Sequence, residues 1–272
     1  MATHRRRNDR DHAQTPRASG PAHAASTGHR RRLEDLQSEW LWGWHTVIAA
    51  LENPARAPAK RLVATPDRAR ALGERFGGAR PVEIAEGAAI SALLPVGATH
   101  QGVALRMALI EPLPLEALAE APGGPLLMLD QVTDPQNVGA IFRAAAAFGA
   151  RGIILQDRHA PALAGALAKA AAGAIDKIPH AREINLSRAL ERLDSLGFRA
   201  VGLDGEAEGA LADVLDARPA VLVLGSEGDG LRRLVREHCD ALARIPMPGG
   251  FESLNVSQAA AVALYEASRP RL

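Results

Sequence analysis

Five short apolar runs, LLMLD (126–130), GIILQ (152–156), RAVGL (199–203), AVLVLG (220–225) and ALARIP (241–246), dominate the second half of the chain. Segments with helical spacing fall between and after them, at about 138–149, 161–172, 187–197, 229–238 and 256–268. Strands that are apolar at nearly every position must be covered on both faces, and regular strand–helix alternation supplies that cover in a parallel sheet. The predicted fold is therefore α/β, with a mostly parallel sheet between two layers of helices. In such sheets ligands bind beyond the carboxyl ends of the strands. The turns after Asp130, Leu203, Leu224 and Ile245 are accordingly the places to look for chemistry.

Upstream, HTVIAALE (45–52) has helical spacing, and RLVAT (61–65), PVEIA (81–85) and HQGVALRMALI (100–110) read as strands. Helical stretches at 67–76 and 87–94 complete a small α/β unit, expected over 39–110. Four prolines and a Gly-Gly pair mark 111–125 as a linker, with room for a short helix, before the main domain at 126–272. Residues 1–32 carry eight Arg against Asp9 and Asp11, a net of +6 in a chain of net +1, which leaves the remainder near −5. That stretch has no Val, Ile, Leu, Phe, Tyr or Trp to bury, so residues 1–38 are expected to be a disordered basic tail. Such an arm either samples nucleic-acid phosphates or is a solvated extension. No apolar run reaches the roughly 18 residues that span a bilayer. The single Cys239 excludes an internal disulfide or a cysteine zinc cluster and fits a reducing cytoplasm.

Three of the turns carry unusual residues. In DQVTDPQNVGAIFRAA (130–145), Thr133 and Gln136 have the spacing of a capping box, with Pro135 between them. Arg143 follows in an Ala-rich stretch with no acidic partner four residues away. It is either a solvated helix residue or a bidentate contact for a phosphate or a developing charge. VLGSEGDGLRRL (223–234) is a glycine-rich turn, but it lacks GxGxxG and GK[ST], and Glu227 in its middle disfavours a diphosphate. Glu227 and Asp229 either favour a helix start by charge, or Glu227 is a carboxylate that acts on a hydroxyl. In IPMPGGFESLNVSQAAA (245–261), small polar residues recur at Ser253, Asn255 and Ser257, and on spacing alone Asn255 is a helix cap. The nine His are scattered, so no metal site is expected, and Lys169 reads as a solvated charge on an Ala-rich helix.

Taken in order, DPQNVGAIFRAA (134–145), LVLGSEGDGL (222–231) and IPMPGGFESLNVSQAAA (245–261) resemble the SpoU (TrmH) family of RNA ribose 2′-O-methyltransferases. The likeness extends to LWGWHTVIAAL (41–51), HQGV (100–103) and REHCD (236–240), as in members that modify a guanosine of 23S rRNA. It implies a trefoil-knotted methyltransferase domain, a small ribosomal-protein-like RNA-binding domain before it, and a homodimer packed knot to knot. It also implies S-adenosylmethionine held by Gly225, Ile245 and Leu254, with Leu203, Asp204, Leu224 and Met247, and catalytic positions at Asn137, Arg143, Glu227, Ser253 and Asn255. Some family schemes make the arginine the general base, yet a guanidinium keeps its proton, so Glu227 is the easier base or hydroxyl orienter. Phe251 and Glu252 depart from the small or polar residues usual there. A tRNA ribose methyltransferase and a catalytically silent RNA-binding or ribosome-assembly factor are the rival readings. Removing residues 1–32 is expected to leave a single cooperative unfolding transition with an unchanged midpoint, checked by urea titration.

Overall fold

The computed structural model describes Met1 and residues 39–78, 80–250 and 253–269. The expected basic tail and the pair Phe251 and Glu252 lie outside the described residues. From Glu39 onward the described chain belongs to one compact unit.

The small sheet has strands β1 (Trp40–Trp42), β2 (Arg61–Ala64), β3 (Glu83–Ile84) and β4 (Val103–Arg106), in the order β1-β4-β2-β3. Only β2 and β3 run parallel. Helices α1 (Trp44–Glu52), α2 (Pro66–Phe76) and α3 (Gly87–Ser91) accompany it. α2 starts with Pro at its first turn and ends on Gly77 in the left-handed region, the usual asymmetry of helix ends. A short helix, α4 (Leu115–Glu120), lies in the proline-rich stretch before the second sheet.

The large sheet is built from β5 (Leu126–Leu129), β6 (Gly152–Gln156), β7 (His180–Glu183), β8 (Arg199–Leu203), β9 (Ala220–Leu224) and β10 (Ala241–Ala243). Its order is β10-β8-β9-β5-β6-β7 and every pairing is parallel, as the continuous apolar runs predict. Alternate residues feed two cores. Leu127, Leu129, Ile153, Leu155 and Leu222 face α5 (Pro135–Ala147), α6 (Gly165–Ala171) and α10 (Val256–Ser268). Leu126, Met128, Ile154, Val221 and Val223 face α4, α7 (Leu186–Ser195) and α9 (Arg233–Glu237). A last short helix, α8 (Leu211–Val214), follows β8. At Gly139 an added Cβ would meet the carbonyl oxygen of Leu167 at 2.5 Å, so the absent side chain is what lets α6 lie against α5.

The core on the α5 side is continuous with α1, β2 and β4. A buried ion pair reinforces that junction. Arg56 Nε lies 2.6 Å from Asp176, in the 3-10 turn after α6, with side-chain exposures of 2% and 4%. Asn53 Nδ2 donates to the same carboxylate at 3.0 Å. Lys169, expected to be solvated, instead donates to Gln101 Oε1 at 2.7 Å, and the same oxygen accepts Trp44 N–H at 3.1 Å. The correction has a steric cause: the stem of Lys169 lies over Gly43, which has no Cβ to exclude it.

Strands β1 and β7 went unread in the sequence because WLW is short and HARE carries three polar residues in four. His180 of β7 is nevertheless 2% exposed, and its Nδ1 has no partner among the described residues. Burial, aided by the charge of Arg182, pushes its pKa down from 6.5 to about 4. A depressed folded-state value means that the unfolded chain takes up the proton first as pH falls. Stability is expected to decline between pH 6.5 and pH 4 by up to about 3 kcal/mol and to level off below that. Urea titrations across that range check it, with His180→Leu losing this part of the slope.

Candidate active site

Three separated stretches of chain converge beyond the carboxyl ends of β5 and β9. These strands are neighbours, with Leu129 in register with Leu224. The turn after β5 leads into α5 and the turn after β9 carries Glu227. Asp130, wholly buried, fixes the two together: its carboxylate accepts Arg232 N–H at 2.9 Å and Arg232 Nε–H at 2.7 Å. The sequence singled out the turn but not this pair. The signal was a lone acid at the end of an otherwise apolar strand, which needs a partner if it is to be buried.

The start of α5 is not capped by Thr133 as the spacing suggested. Asp134 is the N-cap, and its carboxylate accepts Gln136 N–H and Asn137 N–H, both at 3.2 Å. Pro135 occupies the first helical position, where a missing N–H costs nothing, so the cap must be the residue just before it. This places Asn137 on the first turn, aimed at the neighbouring loop. Nor do Glu227 and Asp229 begin a helix, because α9 starts only at Arg233. Their turn closes on itself through Gly230 N–H to Ser226 O at 3.1 Å, leaving Glu227 to project from it.

Glu227 Oε1 is the meeting point. It accepts Asn255 Nδ2–H at 2.7 Å, Asn137 Nδ2–H at 3.2 Å and the backbone N–H of Val256 at 3.3 Å. Asn255 Nδ2 also donates to Asn137 Oδ1 at 3.0 Å, which closes the triangle. Asn255 is at the same time the N-cap of α10: its Oδ1 accepts Ser257 N–H at 2.9 Å and Ser257 Oγ–H at 2.6 Å. One amide thus uses its oxygen as the cap and its nitrogen in the site. Two of the expected five residues remain apart from this cluster. Arg143 is exposed on α5, and Ser253 is exposed before α10; neither side chain has a hydrogen bond or ion pair among the described residues.

The residues expected to hold the cofactor lie at or beyond the carboxyl ends of β8, β9 and β10 and just before α10. Leu203 ends β8, Leu224 ends β9, and Ile245 and Met247 follow β10, which pairs with β8 through Leu203 and Ala243. Leu254 is half-buried one residue before the α10 cap. Asp204 N–H donates to Ala243 O at 3.0 Å, and its carboxylate is held by Arg236 and by Glu206 N–H. At Gly225 an added Cβ would lie 2.1 Å from the carbonyl carbon of Gly230, so no side chain fits beneath the turn. The next residue, Ser226, has a buried hydroxyl without a partner among the described residues. Leu203, Leu224, Ile245, Met247 and Leu254 are apolar, and such a set suits an uncharged aromatic ring better than a polyphosphate.

Other reactive groups stand elsewhere. Burial pushes the Cys239 thiol up to about 12, and it donates to Val235 O at 3.3 Å, which leaves it a poor nucleophile. No cluster of three or more His, Cys, Asp or Glu that could hold a metal occurs among the described residues.

The model of the SpoU rRNA Methylase family matches residues 124–265 of the chain. The chain belongs to the SpoU family. It is 43% identical over 245 residues to the 23S rRNA (guanosine-2′-O-)-methyltransferase RlmB of Xylella fastidiosa strain 9a5c, covering 86% of this chain and 98% of that protein. Identity to the protein of the same name in Xanthomonas campestris pv. campestris is 43% over 245 residues, covering 87% and 98%. Among solved structures, the AdoMet-bound rRNA methyltransferase of Sinorhizobium meliloti superposes with a TM-score of 0.71 at 27% identity, covering 88% of this chain and 89% of that one.

Gly225→Ala is expected to force the 226–231 turn out of place and to lower stability by about 2 kcal/mol or more, the scale of an overpacked site. A urea titration with an unchanged midpoint would contradict the crowding at this position.

Proposed function

We propose that the protein transfers a methyl group from S-adenosylmethionine to a ribose 2′-hydroxyl in RNA, in a guanosine of 23S rRNA. The observation that carries this reading is the single carboxylate oxygen of Glu227 held by Asn137, Asn255 and Val256. The identity to 23S rRNA guanosine methyltransferases over almost their whole length supports the substrate. When bound by Leu203, Asp204, Leu224, Gly225, Ile245, Met247 and Leu254, S-adenosylmethionine supplies an electrophilic sulfonium methyl.

The chain's own residues then have three tasks. Glu227, with Oε1 fixed by its three donors, turns Oε2 to the ribose hydroxyl, orients it and receives its proton as the new C–O bond forms. Asn137 and Asn255 keep that carboxylate in one rotamer, so no reorganisation is needed during the reaction. Arg143, a cation without a protein partner among the described residues, takes the adjoining RNA phosphate, and Ser253 borders the ribose.

Around this centre, the small sheet at 39–110 serves as the RNA-docking domain and the basic segment 1–38 adds phosphate contacts. The exposed Val262 and Tyr265 on α10, with Tyr265 edge-on to Phe148 at 6.0 Å, suit a homodimer contact through the knotted domain. No helix among the described residues is long and apolar enough to cross a membrane; a 23S rRNA substrate would place the work in the cytoplasm.

Labelled S-adenosylmethionine and unmodified 23S rRNA, followed by mapping of 2′-O-methylation, test the reading. Transfer to tRNA alone would favour the rival tRNA enzyme, and transfer to neither would reject methylation. Arg143→Ala is expected to lower turnover by at least about 100-fold with cofactor affinity within about threefold, the pattern of a contact made to RNA alone. Glu227→Gln is expected to fall further in kcat than in KM. Calorimetric titration of the cofactor and steady-state kinetics give both readouts.

A further inference from the structure

Gln156 is 9% exposed, and its Oε1 is buried with no hydrogen-bond partner among the described residues. A buried carbonyl of this kind costs free energy, and native chains rarely keep one without a use. It lines a narrow cleft between the turns that follow β5 and β6, with Leu129 and Leu155 below and Gln131, Thr133 and His159 around the mouth. Two of those residues, Gln131 (φ 58°) and His159 (φ 79°), hold a left-handed backbone that non-glycine residues seldom adopt. Strain of this sort, roughly 1–3 kcal/mol per residue, collects where a chain is shaped for a ligand.

The position of the cleft is informative. Leu129 pairs with Leu155, so Asp130 and Gln156 stand side by side one residue further along, about 5 Å apart at the spacing of adjacent strands. Asp130 anchors the Glu227 turn, and the chain after Gln131 and Thr133 runs directly into the cap that aims Asn137. The cofactor residues lie on the far side, at the ends of β8, β9 and β10. The cleft therefore borders the Asn137–Glu227–Asn255 cluster from the opposite flank. In a nucleotide, the base hangs from the carbon next to the one bearing the 2′-hydroxyl. Whatever holds that hydroxyl at Glu227 must find room for the base alongside.

We infer that the cleft over Gln156 is the pocket for the base of the methylated nucleotide, and that the Gln156 carboxamide reads its Watson–Crick edge. The inference rests on the methyltransferase reading above. A carboxamide accepts one hydrogen bond and donates one in the same plane, which matches the N1–H donor and O6 acceptor of guanine. The leucine floor gives the ring an apolar face, and the rim, with Gln131 and Thr133 and no Lys or Arg, suits a base better than a phosphate. Recognition of an unstacked base along this edge is the ordinary mode for single-stranded RNA. The cleft is closed in this structure, with no space for a water molecule, so the 157–160 turn moves outward to admit the ring.

The test uses the full chain with 23S rRNA transcripts carrying guanosine or adenosine at the mapped position. Wild type is compared with Gln156→Leu and the near-isosteric Gln156→Met. Both variants remove an unpaired polar group, so their melting temperatures should equal or exceed that of wild type. Expected is a fall in kcat/KM for the guanosine transcript on the order of 10- to 100-fold, the range of one bidentate amide–base pair. The preference for guanosine over adenosine should shrink by a similar factor, while cofactor affinity is unchanged. Equal losses on the two transcripts, or unchanged kinetics in both variants, would overturn the assignment. Cofactor binding by wild type without transfer to either transcript would reject the methyltransferase reading, and the base pocket with it.

Discussion

The parallel pairing of β9 with β5 is the constraint on which the site depends. These strands are almost a hundred residues apart in sequence, yet their ends lie level because Leu224 is in register with Leu129. Hydrogen bonding along that pair brings a glycine-rich turn and a proline-started helix to the same height. Asp130 then locks the turn by holding both the backbone and the side chain of Arg232. Only with that turn fixed does Glu227 reach Asn137 and Asn255, which come from the beginnings of two different helices. The site is thus a consequence of sheet order, with Asn137 and Asn255 aimed by helix starts and Glu227 by a turn that Asp130 holds.

The large sheet was legible because five of its strands are apolar on both faces, a pattern that permits few arrangements. The edge strand β7 was not, since HARE carries too little hydrophobic surface to be distinguished from a loop, and only the structure shows His180 and Ala181 turned inward. The small sheet was legible except for β1, three residues with two tryptophans that give no period. Within the site, Asn137, Glu227 and Asn255 were found by resemblance, and their contact could not be read from spacings of 90 and 28 residues. Capping was half right: Asn255 is a cap, whereas Thr133 yields to Asp134 because Pro135 fixes where the helix begins. Lys169 was misjudged because its environment is set by Gly43 and Gln101, far away in the chain.

Asn255 shows why a cap and a reactive-site residue need not compete. Its oxygen orders α10 and its nitrogen holds the carboxylate, so a change at this one position acts on helix stability and on site geometry together. A loss of activity there says little by itself. Arg143 and Gln156 are better probes, because neither side chain makes a hydrogen bond or ion pair among the described residues.

The buried Arg56–Asp176 pair and the Lys169–Gln101 hydrogen bond have a further consequence. They tie the small sheet to the helices behind Asn137 with polar contacts laid over the shared apolar core. Under the proposed function, with RNA docked on the small sheet, this tie would fix the distance and angle at which the target nucleotide is presented. The molecule would then act as a caliper, selecting its substrate partly by the spacing between two features of a folded RNA.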